Sequence, residues 1–171
     1  PPFPVVAGSF NNTTVVNNVE TLASIAAIFA KGADWFKKFG TDKSTGYKLF
    51  SISGDCEKPG VYEFPWGITV ADLLKEVGGE GAKAVQIGGP SGGCIPTSQL
   101  DIDIDYESLK TVGAMMGSGG LVVMDDGNCM VDVAKFFMDF IQKESCGKCI
   151  PCREGTRRML EILESLSRSR R

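Results

Sequence analysis

Hydrophobic residues in the first part of the chain follow the period of an amphipathic helix. Four of them recur at helical spacing: Leu22, Ile25, Ala26 and Phe29. Gly32 marks the end of this predicted helix, and the polar, glycine-bounded stretch GTDKSTG at 40–46 predicts a linker. The first 40 residues are therefore predicted to form a proline-rich lead-in followed by a helix.

From Tyr47 the pattern changes to that of strands. KLFSISG and PGVYEF lie on either side of a Lys-Pro-Gly turn signal and predict a hairpin. The stretch GITVADLLKEVGG that follows carries a helix signature, with Thr69 as the N-cap and Asp72 three residues later. Gly78 is placed to end this helix.

Further strands are predicted downstream. AVQIGG at 84–89 and LVVMDD at 121–126 have the composition of short buried strands. Between them, LDIDIDY alternates strictly over residues 100–106, which predicts a half-exposed strand. A hairpin, a helix and then more strands is the order of a β-grasp (ubiquitin-like) core, so we expect an α+β fold with this domain at 46–127.

After Asp126 the pattern is helical again. One broad apolar face predicts a mostly buried helix: Met130, Val133, Ala134, Phe137, Phe140 and Ile141. A second helical repeat lies near the end of the chain: Met159, Ile162, Leu163 and Leu166. Residues 128–171 are therefore predicted to form the start of a helical bundle.

Composition excludes several classes of function. The chain has 171 residues, a formal net charge of −3 and no histidine, so histidine-based catalysis and histidine-ligated zinc are ruled out. The acidic balance argues against non-specific binding to nucleic acid. No run of apolar residues is long enough to span a membrane, and PPFPVVAGSF lacks the features of a signal peptide. We therefore expect a cytoplasmic protein whose six cysteines are reduced.

The strongest chemical signal is ESCGKCIPCREG at 144–155, where Cys146, Cys149 and Cys152 follow C-x2-C-x2-C spacing. Three thiolates at this spacing can face one cubane cluster, as in the opening of the bacterial ferredoxin motif. Structural zinc normally takes separated cysteine pairs, which this chain does not offer. Pro151 stiffens the turn, and the start of a helix would stabilise the thiolates. The alternative is a chance cluster of reduced cysteines.

A fourth ligand is not evident from the spacing. The single cysteines Cys56, Cys94 and Cys129 are each expected to be small buried hydrophobic residues. Cys129 is the best local candidate for a fourth ligand, because it begins the helix that precedes the motif.

Three weaker features have both an ordinary and a functional interpretation. GGPSGG and GSGG match neither the dinucleotide-binding fingerprint nor the P-loop, so tight turns are favoured over backbone nests. In VVNNVET, Asn17 and Asn18 are interpreted as helix caps, with a phosphate- or ribityl-binding helix start as the alternative. After the cysteines, the i,i+4 pairs Glu154–Arg158 and Arg157–Glu161 predict a solvated helix face. The arginines would also raise the potential of a nearby cluster.

Taken together, these motifs resemble a known family. ESCGKCIPCREGTRRMLEIL, GDCEKPGVYEFPWGITVADLL, GGPSGGCIP and VVNNVETLASI are similar to segments of the NADH-binding FMN and iron–sulfur flavoprotein subunit of complex I. Bifurcating or NADP-reducing hydrogenases and NAD-dependent formate dehydrogenases contain the same type of subunit. The resemblance implies the C-terminal edge of a flavin domain at 1–45, a soluble-ligand-binding β-grasp domain at 46–127 and the start of an iron–sulfur helical domain at 128–171.

The resemblance also assigns sites. It implies that Asn17, Asn18 and Thr21 contact FMN, which reverses the preference for a simple cap. It places the fourth cluster cysteine in the helical bundle a few dozen residues after Cys152, and thus beyond Arg171. It also places the flavin- and NADH-binding loops upstream, so we expect a fragment that does not bind FMN appreciably by itself and holds at most a labile cluster.

The implied function is electron transfer. The subunit would oxidise NAD(P)H through FMN and pass electrons to a [4Fe–4S] cluster and then to a partner subunit, with a small [2Fe–2S] subunit expected in the complex. It would be cytoplasmic, or membrane-associated through its partners. The rival hypothesis is a stand-alone β-grasp module that binds a ligand or a partner and carries a structural metal site. The terminal electron acceptor and the choice of NAD or NADP stay open.

Overall fold

The computed structural model describes residues 2–169, so Pro1, Arg170 and Arg171 at the ends of the predicted domains lie outside it. The N-terminal part is helical, as predicted. Its elements are α1 (Pro4–Ala7), a 3-10 turn (Ser9–Asn11), α2 (Val19–Lys31) and α3 (Ala33–Phe36). Asn18 caps the start of α2, and Gly32 ends that helix as expected.

The central part contains a five-stranded sheet with short helices. In chain order its elements are β1 (Tyr47–Gly54), β2 (Gly60–Pro65), α4 (Val70–Val77), β3 (Ala84–Ile87), β4 (Gly93–Pro96), a 3-10 turn (Thr97–Gln99), α5 (Tyr106–Thr111) and β5 (Gly120–Met124). The strand order is β2-β1-β5-β3-β4, in which β1 and β5 run parallel and the other neighbours antiparallel. This is the β-grasp arrangement, and it confirms the predicted α+β fold.

Helix α4 forms the core with one face of the sheet. Thr69 caps it by accepting a hydrogen bond from Asp72 N at 3.0 Å, and Gly78 ends it in the left-handed conformation, with φ of 67°. Both features follow the sequence prediction. Four residues of the helix are buried: Val70, Leu73, Leu74 and Val77. They belong to the same apolar cluster as Phe50, Ile52 and Val85 of the sheet.

The alternating stretch at 100–106 is not a strand, and that prediction was wrong. Thr69 and Asp103 make only an isolated bridge, and the chain enters α5 at Tyr106. Asp105 ends the extended stretch by starting a helix. Its Oδ1 accepts from Glu107 N and Ser108 N and so caps α5. Ile104 is fully buried all the same, so the alternation reflects burial without sheet pairing.

GGPSGG forms a tight turn, as predicted, between β3 and β4. A side chain at Gly92 would collide with Ile87 O, since a Cβ there would lie 1.8 Å from that oxygen. Gln86 Nε2 also donates to Gly89 O across the turn. Strand β4, directly after the turn, was not expected from the sequence.

The chain ends in two helices that pack against each other, α6 (Met130–Glu144) and α7 (Ile150–Arg168). The expectation that the first is mostly buried was wrong, because no residue of α6 is buried, and Phe136 and Phe140 are 68% and 48% exposed. The apolar face of α6 borders an open groove beside the β3–β4 turn and does not enter the core. Within residues 2–169, no helix has the length and apolar character needed to cross a membrane.

Candidate metal centre

The three cysteines of the motif share one loop and the start of one helix. Cys146 lies in the connection between α6 and α7, Cys149 is the N-cap of α7, and Cys152 is in its first turn. Pro151 occupies the first turn of α7, where a missing amide hydrogen has no cost. All three thiols are exposed and none forms a disulfide.

Short contacts fold this loop back onto the helix. Gly147 adopts a positive φ of 75° between the first two cysteines. Ser145 Oγ accepts from Gly147 N at 3.3 Å and lies 3.3 Å from Cys152 Sγ. Arg153 Nη1 donates to Gly147 O at 2.8 Å. The loop therefore has defined contacts on both sides of Gly147, and sequence reasoning had assigned no role to Ser145 and no loop contact to Arg153.

Thr156 anchors the start of α7. Its hydroxyl donates to Cys152 O at 2.6 Å, and it is the buried residue of this helix within the described part of the chain. The bond ties the backbone of a predicted ligand to a side chain that faces the interior.

Two features place positive charge beside the cysteines, although Glu144 and Glu154 also flank the motif. The N-terminus of α7 presents unpaired amide groups and the positive end of a 19-residue helix. The guanidinium of Arg153 lies against the loop itself. These features favour anionic ligands such as thiolates.

The arginines further along α7 form the expected solvated face. Glu161 accepts hydrogen bonds from both Arg157 and Arg158. The bond from Arg158 is the main reason that the pKa of Glu161 is lowered. The structure does not form the predicted pair between Glu154 and Arg158, because Glu154 pairs with Arg153.

The donor set fits an iron–sulfur cluster, although the thiols do not converge as they stand. Among residues 2–169, no three cysteine, histidine or acidic side chains are arranged to hold a metal ion. Soft thiolates at C-x2-C-x2-C spacing are the ligands that such clusters take. Because the three thiols are exposed, they can turn towards a shared centre without displacing any core residue. Cys146, Cys149 and Cys152 would hold the cluster.

The remaining cysteines lie elsewhere. Cys129 is the N-cap of α6, whereas the motif follows the C-terminus of that helix. A helix of 15 residues is about 22 Å long, so the fold does not bring Cys129 to the motif. Cys56 is partly buried against the core, in line with its expected role. Cys94 in β4 is exposed, contrary to expectation, and borders the groove beside α6.

The second candidate site is the start of α2. Asn18 Oδ1 accepts from Glu20 N at 2.9 Å, so its role as a helix cap is directly visible. Asn17 and Thr21 lie beside it, and all three side chains are exposed. Glu20, in the same motif, reaches across to β1, and the sequence carried no signal for that contact.

Comparison with known proteins shows which subunits the chain resembles. Residues 132–171 match the NADH-ubiquinone oxidoreductase-F iron-sulfur binding region, and residues 49–95 match the SLBB domain. The chain is 49% identical to the HndC subunit of the NADP-reducing hydrogenase of Solidesulfovibrio fructosivorans, over 99% of its own length. It is 45% identical to the F 2 subunit of the NADH-quinone oxidoreductase of Rhizobium meliloti (strain 1021), over 97% of its length. The chain is homologous to these oxidoreductase subunits.

A solved structure supports the same relationship. The crystal structure of an NAD+-reducing [NiFe]-hydrogenase in the air-oxidized state matches 98% of this chain with a TM-score of 0.82 and 40% identity. The chain spans 36% of the HndC subunit, 41% of the F 2 subunit and 29% of the hydrogenase chain. The resemblance inferred from the motifs is therefore confirmed, whereas the domain boundaries at 45/46 and 127/128 stay predictions.

Proposed function

We propose that the chain is part of an electron-transfer flavoprotein subunit that oxidises NAD(P)H. Electrons would pass through FMN to a [4Fe–4S] cluster and then to a partner subunit of a larger redox complex. The observation that carries the proposal is the set of three exposed thiols on one loop at the start of α7, inside the segment that matches an iron–sulfur binding region.

The chemistry that FMN and the cluster supply when bound is hydride acceptance followed by one-electron transfer. The residues of this chain would hold and orient these cofactors. Cys146, Cys149 and Cys152 would ligate three irons, and Ser145 and Arg153 hold the loop between them by the contacts described above. The positive end of α7 would stabilise the negative charge of the ligated cluster.

On the flavin side, Asn17, Asn18 and Thr21 would bind FMN at the N-terminus of α2. A 13-residue helix offers unpaired amide groups and a positive dipole end to a phosphate or a ribityl chain. The partner would be another subunit of the complex, including the small [2Fe–2S] subunit implied by the resemblance. The homologous subunits named above belong, by name, to an NADP-reducing hydrogenase and an NADH-quinone oxidoreductase.

The test is anaerobic reconstitution of the chain with iron, sulfide and a low-mass thiol that can serve as the fourth ligand. We expect bound iron and sulfide and a brown visible spectrum in the wild-type chain. Cys149→Ser should abolish cluster formation. Cys94→Ser is the control, because Cys94 is also an exposed free thiol and lies outside the motif, so this variant should retain the cluster.

The same experiment distinguishes the rival hypothesis. Colourless protein that binds one zinc ion per chain through the motif would contradict electron transfer and would support a β-grasp binding module with a structural metal. Cys129→Ser tests the remaining ligand alternative. Loss of the cluster in that variant would contradict the separation along α6.

A further inference from the structure

The carboxylate of Glu20 makes two contacts with β1. Its Oε1 accepts from Leu49 N at 2.8 Å, and its Oε2 forms an ion pair with Lys48 Nζ. The Lys48 side chain is only 8% exposed and that of Glu20 is 28% exposed. Through this one side chain, α2 is bonded to both Lys48 and Leu49 of β1.

The position of Leu49 explains why its amide is available to Glu20. Strand β5 joins β1 only from the pair Ser51↔Gly120 onwards. Ser51 N, two residues further along β1, donates to Gly119 O on the side of β5. Leu49 lies before the point where β5 begins, so its amide has no strand partner there. Glu20 supplies the missing acceptor and continues the hydrogen bonding of β1.

Loss of the ion pair between Glu20 and Lys48 would also raise the free energy of the folded state. A buried ammonium group without a partner is strongly unfavourable, so removing its carboxylate leaves an uncompensated charge. In the described part of the chain, Glu20 is the carboxylate in contact with Lys48. Exposed pairs such as Lys75–Asp72, both more than half exposed, carry no such penalty.

Glu20 is the second residue of α2, and its amide donates to the cap residue Asn18. Its carboxylate therefore bonds to β1, and its backbone amide bonds to the residue that caps α2. We propose that Glu20 is a positioning residue: it fixes the start of α2, with Asn17, Asn18 and Thr21, to the β-grasp sheet. The functional part of this inference, that the fixed segment faces FMN, rests on the proposed function.

The first test needs no flavin. Hydrogen exchange of the 171-residue chain is measured for wild type, Glu20→Gln and Glu20→Ala. Gln keeps an acceptor for Leu49 N but removes the charge, whereas Ala removes both. We expect amides of α2 to exchange about tenfold faster in Glu20→Gln and faster still in Glu20→Ala, with α4 amides unchanged. Wild-type exchange of α2 in both variants would overturn the proposal.

Two controls sharpen the result. Asp72→Asn breaks an exposed ion pair of α4, so it should leave exchange in α2 unchanged. Lys48→Met keeps the length of the side chain and removes its charge. If Glu20 acts through Lys48, then Glu20→Gln should have a much smaller effect in the Lys48→Met background. Additive effects of the two substitutions would count against the ion pair as the anchor.

The second test addresses the flavin and separates the two proposals. Amide chemical shifts of Asn17, Asn18 and Thr21 are followed as FMN is added at millimolar concentration, which detects weak binding. Shifts that are present in wild type and reduced in Glu20→Gln support the positioning role. Equal shifts in both proteins overturn it. No shifts in either protein contradict the assignment of these residues to FMN, and the exchange data then decide on the anchor alone.

Discussion

The β-grasp core and the pair of helices that follows it are built in opposite ways. In the core, Phe50, Val70 and Leu73 are completely buried, and α4 packs along the sheet. In the helical pair, no residue of α6 is buried, and Ile162 of α7 is 60% exposed. The exposed thiols of the motif lie on the connection between these two helices and at the start of the second.

This difference assigns stability to the β-grasp core and the candidate chemistry to the helical pair. Burial of apolar surface is the main favourable term in folding, so the core should determine the global free energy of unfolding. The helical pair relies on mutual packing and on polar contacts, such as those of Ser145 and Thr156. Its loop can adjust its exposed thiols at small cost to the rest of the molecule, which suits a site that closes around a cofactor.

The largest expected effect comes from a cavity in the core. Phe50→Ala should lower the free energy of unfolding by about 3–5 kcal/mol, because a fully buried aromatic ring is lost and its space cannot be refilled. Urea denaturation of purified chains measures this. Phe136→Ala in α6 removes the same ring where it is 68% exposed and should change stability by about 0.5 kcal/mol or less. Similar losses of unfolding free energy in both variants would contradict the conclusion that the core determines stability.

The sequence was sufficient for α4 because its capping signals and its apolar positions agree. Thr69 and Gly78 mark the ends of α4, and apolar positions between them face the sheet. It failed at 100–106, where alternation signalled burial of Ile104 but the capping chemistry of Asp105 prevented a strand. It also failed for α6, since an apolar face does not reveal whether a partner covers it.

For the candidate sites, the sequence predicted ligand residues but not the contacts that hold their surroundings in place. C-x2-C-x2-C spacing identifies Cys146, Cys149 and Cys152 because the spacing itself encodes proximity. The bond from Glu20 to Leu49 joins residues 29 positions apart, and no periodic pattern signals it. Arg153 bonds to the carbonyl of a glycine with positive φ, and neither feature is evident from the sequence.

A smaller effect is expected from helix caps, and it compares the same two regions. Thr69→Ala removes the hydroxyl that accepts from Asp72 N, so it should cost about 1 kcal/mol of unfolding free energy. Cys149 occupies the same position at the start of α7 but makes no side-chain capping bond. Cys149→Ala should therefore leave the stability of the metal-free chain nearly unchanged in urea denaturation. A cost for Cys149→Ala equal to that for Thr69→Ala would show that the thiol caps α7.

The smallest effect concerns acid and the contact between α6 and α7. Asp132 Oδ1, in the first turn of α6, accepts from Lys135 Nζ at 2.8 Å and from Ser167 Oγ of α7 at 2.6 Å. The hydrogen bond from Lys135 and then that from Ser167 lower the pKa of Asp132 from 3.8 to about 2. A carboxyl group whose pKa is lower in the folded state stabilises that state above its unfolded pKa, and the contribution is lost as the pH falls through the folded value.

The helical pair should therefore loosen between about pH 4 and pH 2, while the β-grasp core keeps its structure. Hydrogen exchange of α6 and α7 amides at constant ionic strength measures this. Asp132→Asn should remove most of the pH dependence. Asp139→Asn should preserve it, because Asp139 bonds to Lys143 within α6 and does not bridge the helices. If Asp132→Asn keeps the wild-type profile, the hydrogen bond from Ser167 to Asp132 is not the acid-sensitive contact between the two helices.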